Sequence, residues 1–257
     1  MSDKAFLTED LFLTTTLMPV FDPVFWMLPV LAIAAASAVV AGLIDFRGAV
    51  SGFLAGLFIF LGGGFPLLLL LGVFFVTGSV ATAWNLRQKA ALGLAQENKG
   101  RRSLANVLAN GGVAAALGLA AWALPEQAFT LQCMMAASLA SATSDTLSSE
   151  MGNVYGRRYF CILGFRPGER GQDGVVSPEG TAFGLLGSML IAVLFGLMLK
   201  WGAVVGWIGL AGFIGNLADS VLGGSLQKRG YLDNHGVNFF STLAAAVLMG
   251  GIGWWIG

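Results

Sequence analysis

Five short polar segments interrupt an otherwise apolar sequence: Asn106-Val-Leu-Ala-Asn110-Gly111-Gly112, Ser141-Ala-Thr-Ser-Asp145-Thr-Leu-Ser-Ser149-Glu150-Met-Gly152, Ser177-Pro-Glu-Gly180-Thr181, Gly215-Asn216-Leu-Ala-Asp219-Ser220 and Asp233-Asn234-His235-Gly236-Val-Asn238. The amides of Asn106 and Asn110, and those of Asn234 and Asn238, lie four residues apart and so share a helix face. Asp145 and Asp219 are the costly members, because a carboxylate within hydrocarbon costs about 3 kcal/mol unless it is paired, hydrated or bound to a cation. Acids of this kind suit a hard cation such as Mg²⁺, which takes one or two carboxylates and fills its remaining positions with water and substrate phosphates. Hydroxyls, amides and glycine turns at helix ends suit phosphate oxygens. Together they fit phosphoryl transfer, where catalysis is mostly positioning and charge neutralisation. Each segment also has a plain structural use. Asn and Ser join helices for about 0.6 kcal/mol apiece, and Thr181, Asp233 or Asn234 can cap a helix.

Other chemistries lack their parts. The chain has one histidine, His235, and two cysteines, which excludes a two-histidine zinc helix and gives no disulfide framework. Neither a Gly-x-Ser-x-Gly elbow nor a phosphate-binding Gly-x4-Gly-Lys loop occurs. Fourteen cationic and fourteen acidic side chains give zero net charge, which argues against a nucleic-acid partner. His235 reads as a polar loop residue near a helix start.

The elements that carry these residues are membrane spans. Hydrophobic residues make up 56% of the chain and charged ones 11%, with a mean hydropathy of +0.77; a soluble domain carries about 25% charged residues. A helix needs about 20 apolar residues to cross a bilayer. Apolar runs predict spans near 24–44, 48–62, 65–84, 105–124, 129–147, 181–200, 203–225 and 238–256. The fold class expected is an all-α polytopic transmembrane helical bundle of about eight spans. Gly62, Gly63, Gly64 and Pro66 separate the second and third, which makes them a hairpin or a broken helix. Residues 24–257 read as one domain, and 1–23 as an extracytoplasmic or interfacial segment without a cleavable signal. Gly48, Gly52 and Gly56, and the set Gly184, Gly187 and Gly196, read as close helix packing.

Cations concentrate in alternate connections: Arg47; Arg87, Lys89, Lys99, Arg101 and Arg102; Arg157, Arg158, Arg166 and Arg170; Lys228 and Arg229. The positive-inside rule places these connections in the cytosol and both termini outside. The polar segments then gather at the cytosolic end of a multi-pass cell-membrane protein.

The ordered set Ser144-Asp145-Thr146 with Ser149-Glu150-Met-Gly152, Gly180-Thr181, Asp219-Ser220-Val-Leu-Gly223, and Leu232-Asp233-Asn234 with Val237-Asn238-Phe-Phe-Ser241 resembles one membrane family. That family, formerly a domain of unknown function, includes the plant phytyl-phosphate kinase and a widespread animal transmembrane protein. It is distantly similar to the CTP-using kinases of dolichol and phytol. Asn110-Gly111-Gly112 and Ser51-Gly52 with Ala55-Gly56 fit the same pattern, and the resemblance runs from Asp45 to the C-terminus. It implies phosphorylation of an isoprenoid monophosphate, of phytyl or geranylgeranyl type, to the diphosphate. CTP or another nucleoside triphosphate is the implied donor.

On that reading Asp145 and Asp219 bind Mg²⁺, with Glu150 as a third acid. Glu150, five residues after Asp145, points about 140° away on an ideal helix and has Arg157 or Arg158 as alternative partners. Asn110, Asn216, Asn234 and Asn238 orient phosphates or complete the metal shell through water. Ser144, Thr146, Ser148, Ser149 and Thr181 supply hydroxyls, and Lys99, Arg101 and Arg102 receive the nucleotide. The loop with Arg166 and Arg170 is either a nucleotide lid or a solvated connection.

A monophosphate acceptor is already anionic near neutral pH and needs no strong base. Two alternatives stay open. A prenyl-alcohol kinase acting on phytol or a polyprenol would need an acid such as Asp145 to take a proton. A transporter of an anionic or lipid-linked solute would also place acids in a membrane cavity, although here the polar groups crowd one end of the spans. The implied partners are the nucleotide, the isoprenoid monophosphate and membrane lipid, and the sequence is compatible with a homo-oligomer.

Overall fold

The computed structural model describes residues 23–94 and 100–256; the N-terminal segment expected over 1–23 lies, except for Pro23, outside the described residues. The chain forms α1 (Pro23–Val40), α2 (Phe46–Ala83), the short α3 (Leu86–Ala91), α4 (Leu104–Ala123), α5 (Ala128–Tyr155), α6 (Pro178–Met198), α7 (Ala203–Leu222) and α8 (Asn234–Ile256). A two-stranded antiparallel hairpin, β1 (Phe160–Cys161) with β2 (Val175–Val176), sits in the connection from α5 to α6.

Helix α2 is folded double. Gly64 adopts φ 63°, ψ −163°, a region open essentially to glycine alone, and Pro66 follows with no amide hydrogen to donate. Leu68 and Leu71 fill the space beside Gly56, although on a straight helix Leu68 would lie about 18 Å away. The turn is held by Gln132 of α5, whose Nε2 donates to the Gly62 carbonyl at 2.9 Å. The interrupted pair of spans is therefore a hairpin. A Cβ at Gly64 would meet only Pro66 Cδ, at 3.6 Å, so Gly64→Ala is a pure test of backbone strain. It is expected to cost about 1–3 kcal/mol, read as a lower unfolding midpoint in detergent.

Among the described residues six helices are long and apolar enough to cross a membrane: α1, α2, α4, α6, α7 with its extension, and α8. Counting the two arms of α2 separately and adding α5 gives the eight segments that the apolar runs predict. Helix α5 packs against α2, α4, α6, α7 and α8. Its Ser138, Ser141, Thr143 and Ser144 are buried, so it needs no lipid-compatible surface. Neighbouring helices reach it through missing side chains: a Cβ on Gly212 would meet Ala140 at 2.5 Å, and one on Gly187 would meet the Thr143 carbonyl at 3.1 Å. This is the small-residue packing typical of membrane helices. Gly48 and Gly56 also pack closely, against Ile44 and Leu31, whereas a Cβ at Gly52 would find only Ile44 Cδ1 at 3.8 Å. Gly196 packs against Val205 and Trp201 where α6 turns into α7. Ile59, Leu67, Met135, Leu139, Ile191, Phe195 and Ile208 form the apolar centre. Leucine, valine and aromatic side chains cover the outside.

Candidate functional site

At one end of the bundle α4, α5, α7 and α8 surround a cavity of about 730 Å³, flanked by the connections that lead into α4 and α6. Asp145 of α5 and Asp219 of α7 face each other across it with their carboxyl groups within hydrogen-bonding distance. Two carboxylates this close cannot both remain bare anions; a proton or a cation must lie between them. Asn238 of α8, with its amide oriented to satisfy both neighbours, donates to Asp219 Oδ2 and to the Asn234 carbonyl, each at 3.1 Å. Ser241, one turn on, donates its hydroxyl to the Asn238 carbonyl at 2.9 Å. Asn110 donates to the Asn106 carbonyl at 3.0 Å, and Ser103 caps α4 through a reciprocal pair with Asn106.

A basic corner adjoins this pair. The Arg102 amide donates to the Leu43 carbonyl and its own carbonyl accepts from Asp45, both at 3.0 Å. These bonds tie the entry of α4 to the α1–α2 connection. The Arg102 guanidinium lies over the rings of Phe74 at 4.8 Å and Phe75 at 5.5 Å. It occupies the space where Gly78 lacks a Cβ. Burial lowers its pKa to about 10, with the Glu150 carboxylate pushing the other way, so Arg102 stays cationic at neutral pH.

Glu150 pairs with Lys89 of α3 at 2.5 Å, both side chains being buried. The Arg157 or Arg158 pairing open to Glu150 in the sequence is not the one formed, because α3 folds back and inserts Lys89 first. Lys89 Nζ also donates to the carbonyls of Ala81 and Thr82, at 3.0 and 2.8 Å. It thereby caps the C-terminal end of α2.

The connection holding β1 and β2 is anchored rather than merely solvated. Tyr159 donates to the carbonyls of Gly152 and Gly156 at 2.9 Å, and Arg170 Nη2 donates to Gly156 at 3.0 Å. Burial raises the Tyr159 pKa, with Arg170 opposing the shift. Arg166 is exposed. Gly174, at φ +71°, lies directly on Gly224, in the π-helical turn Gly223–Gln227 that ends α7. A side chain on either glycine would part the two segments. Asp173, beside Gly174, lines the cavity and sits close enough for its charge to act on Asp219. Sequence reasoning missed it; the one available signal was its place in a Gln-Asp-Gly turn among loop residues already under suspicion.

Of the residues singled out in the sequence, Asp145, Asp219, Glu150, Asn110, Asn216, Asn234, Asn238, Thr146, Ser148, Ser149, Arg101 and Arg102 line this one cavity. Two do not. Ser144 is buried toward α6, with its Oγ 3.1 Å from where a Gly184 Cβ would stand. Thr181 returns its hydroxyl to the Ser177 carbonyl at 2.9 Å, inside the first turn of α6. Lys99 lies outside the described residues.

A hard cation fits this donor set only as a shared ligand. Among the described residues no group of three or more His, Cys, Asp or Glu side chains converges. An ion here would take Asp145 and Asp219 and complete its shell with amide, water or phosphate oxygens, as Mg²⁺ commonly does.

An all-α bundle of membrane-spanning helices with a polar, acid-bearing cavity at one end defines a polytopic integral membrane protein. The chain belongs to the family described as integral membrane protein DUF92, which matches residues 29–246. It is 34% identical to an uncharacterized membrane protein of Methanocaldococcus jannaschii over 211 residues, covering 80% of this chain and 84% of that one. It is 33% identical over 217 residues to the chloroplastic protein VTE6 of Arabidopsis thaliana, 78% and 62% of the two chains. Protein PGR of the same plant is 28% identical over 252 residues, 80% and 87% of the two chains. No solved structure matches the chain.

Proposed function

We propose that this protein is a Mg²⁺-dependent prenyl-phosphate kinase that transfers a phosphoryl group from CTP, or another nucleoside triphosphate, to an isoprenoid monophosphate. The observation that carries this reading is the Asp145–Asp219 pair inside a cavity that also presents amides, hydroxyls, two arginines and the further carboxylates of Glu150 and Asp173. Its volume suits a nucleotide-sized ligand, and the family resemblance supplies the substrate class. Mg²⁺ held by the two carboxylates would supply charge neutralisation for the donor phosphates.

The chain's own groups do the positioning. Arg101 and Arg102 draw in the nucleotide, and Arg102 is fixed beforehand by Phe74, Phe75 and Glu150. Asn110, Asn216, Asn234 and Asn238 orient phosphate oxygens. An acceptor phosphate oxygen forms the new bond to the γ-phosphorus while the bond to the β–γ bridging oxygen breaks, releasing the nucleoside diphosphate. The acceptor oxygen is already anionic, so no residue has to remove a proton. By the positive-inside rule this end of the bundle faces the cytosol, and the prenyl tail stays in lipid.

Purified protein is expected to move label from [γ-³²P]CTP to phytyl or geranylgeranyl monophosphate only when Mg²⁺ is present. Label appearing on the free alcohols instead would select the alcohol-kinase reading. Liposomes that accumulate a solute while no phosphate moves would select the transporter.

A further inference from the structure

The connection from α5 to α6 turns back on itself between Cys161 and Arg166 and shows apolar side chains to the outside. The Cys161 amide donates to the Arg166 carbonyl at 2.8 Å and the Phe165 amide to the Cys161 carbonyl at 3.1 Å, so the tip is a tight turn rather than a slack loop. Leu163 is 48% exposed and Phe165 77%. Phe165 also holds φ at +52°, after Gly164 at +89°; the left-handed region is uncommon for a residue of this bulk. Its ring stacks on Phe160, with centroids 6.0 Å apart. A fixed, strained conformation that delivers a phenyl ring outward calls for something apolar to receive it.

The position of the tip identifies the receiver. Leu163 Cδ1 lies 3.6 Å from where a Cβ on Gly224 would stand, and Gly224 falls inside Ala203–Gln227, a stretch long and apolar enough to cross the membrane. The tip is thus level with the turn that ends α7, at the edge of the bilayer rather than out in solvent. Cations rim it: Arg166 follows Phe165, and Lys228 and Arg229 follow the turn that Leu163 touches, all three exposed. Among the described residues the ion pair formed is Lys89–Glu150, so none of the three cations is spent on an internal acid. Tyr231, 74% exposed, stands two residues beyond Arg229. Apolar and aromatic side chains rimmed by Lys and Arg are the composition of a segment that lies in the headgroup boundary, where anionic lipids attract the cations.

We propose that the Leu163–Phe165 tip is a lipid-surface contact: its apolar side chains enter the leaflet at the cavity end of the bundle while Arg166, Lys228 and Arg229 hold anionic headgroups. The same connection returns through Asp173 and Gly174 at the cavity wall, with Gly174 set against Gly224. Seating the tip in lipid therefore fixes the strap that lines this side of the cavity, whatever reaction the cavity performs.

Nitroxide labels on the full-length protein in lipid nanodiscs provide the test. Phe165→Cys and Leu163→Cys are made on a Cys161→Ala background, the remaining Cys133 being buried. Glu169→Cys, exposed on the same connection, is the reference. In discs containing phosphatidylglycerol, both tip labels should collide with lipid-soluble oxygen far more than with aqueous Ni-EDDA, at a depth of about 5–10 Å, while the reference label shows the reverse. Discs of phosphatidylcholine alone should give a shallower depth, and the triple variant Arg166→Gln/Lys228→Gln/Arg229→Gln should erase that difference. Tip labels as open to Ni-EDDA as the reference overturn the proposal. Shielding from both reagents overturns it too, because a protein surface, from a second copy or another chain, then covers the tip. A depth indifferent to phosphatidylglycerol overturns the headgroup assignment. No arm requires turnover, so the outcome is independent of the kinase reading.

Discussion

Asp145→Asn and Asp219→Asn will each abolish phosphoryl transfer, by on the order of 10³-fold or more, while leaving the protein folded. Both halves of that expectation follow from one geometry. The two carboxyl groups come from different helices and face each other within hydrogen-bonding distance. Neutralising either one halves the negative charge available to a shared cation and removes an oxygen ligand of the hard kind Mg²⁺ prefers. The same change removes a like-charge conflict from the interior. An amide in place of one carboxylate can donate to the other, so the variants should melt at or above the parent temperature. Activity lost with stability gained is the signature of a site maintained at a cost to the fold. Label transfer and thermal unfolding in the same detergent give both readings. Full turnover in both variants would remove these carboxylates from the mechanism.

Lys89→Met will be the most destabilising single change among those considered, by about 3–5 kcal/mol. Lys89 is 1% exposed and Glu150 3%, so the substitution removes the cation of a buried ion pair and leaves the Glu150 carboxylate with less positive charge around it. Two α2 carbonyls, of Ala81 and Thr82, lose their donor as well. The double variant Lys89→Met/Glu150→Met removes the carboxylate together with its cation and should recover part of the loss, leaving the uncapped carbonyls within the remainder. Equilibrium unfolding in mixed micelles measures all three proteins. A single variant as stable as the parent would mean that the pair contributes no net stability.

The spans were legible because crossing a bilayer demands a run of apolar residues that few other constraints produce. The α2 hairpin was legible as one of two options, through Gly62–Gly64 and Pro66. Asp145 and Asp219 were visible because a carboxylate in such surroundings is costly. Their meeting was less visible, since 74 positions separate Asp145 from Asp219 and only the packing of α5 on α7 joins them. Helical phase could have taken the reading further. Ser148 and Ser149, three and four residues after Asp145, share its face and line the cavity; Ser144, one residue before, is turned toward Gly184. Thr181 offered the same difficulty as any hydroxyl at a helix start, where capping competes with function. Lys89–Glu150 pairs residues 61 apart, and no local pattern announces such a contact. Asp173 sits in the connection from α5 to α6, where hydropathy carries no signal.

The enclosed position of α5 also bears on how the molecule is made. Among the described helices, α5 is not one of the six long and apolar enough to cross a membrane, so it would partition poorly into lipid as a solitary segment. When α5 leaves the ribosome, α6, α7 and α8 have not yet been synthesised, and of its long helical neighbours α2 and α4 are there to shelter it. Part of its polar surface must wait, against the translocation machinery or against water, until the last third of the chain arrives. Biogenesis of this bundle is therefore completed only when the last three helices close around α5, and a transcript cut short after α5 would yield a segment with nowhere stable to lodge.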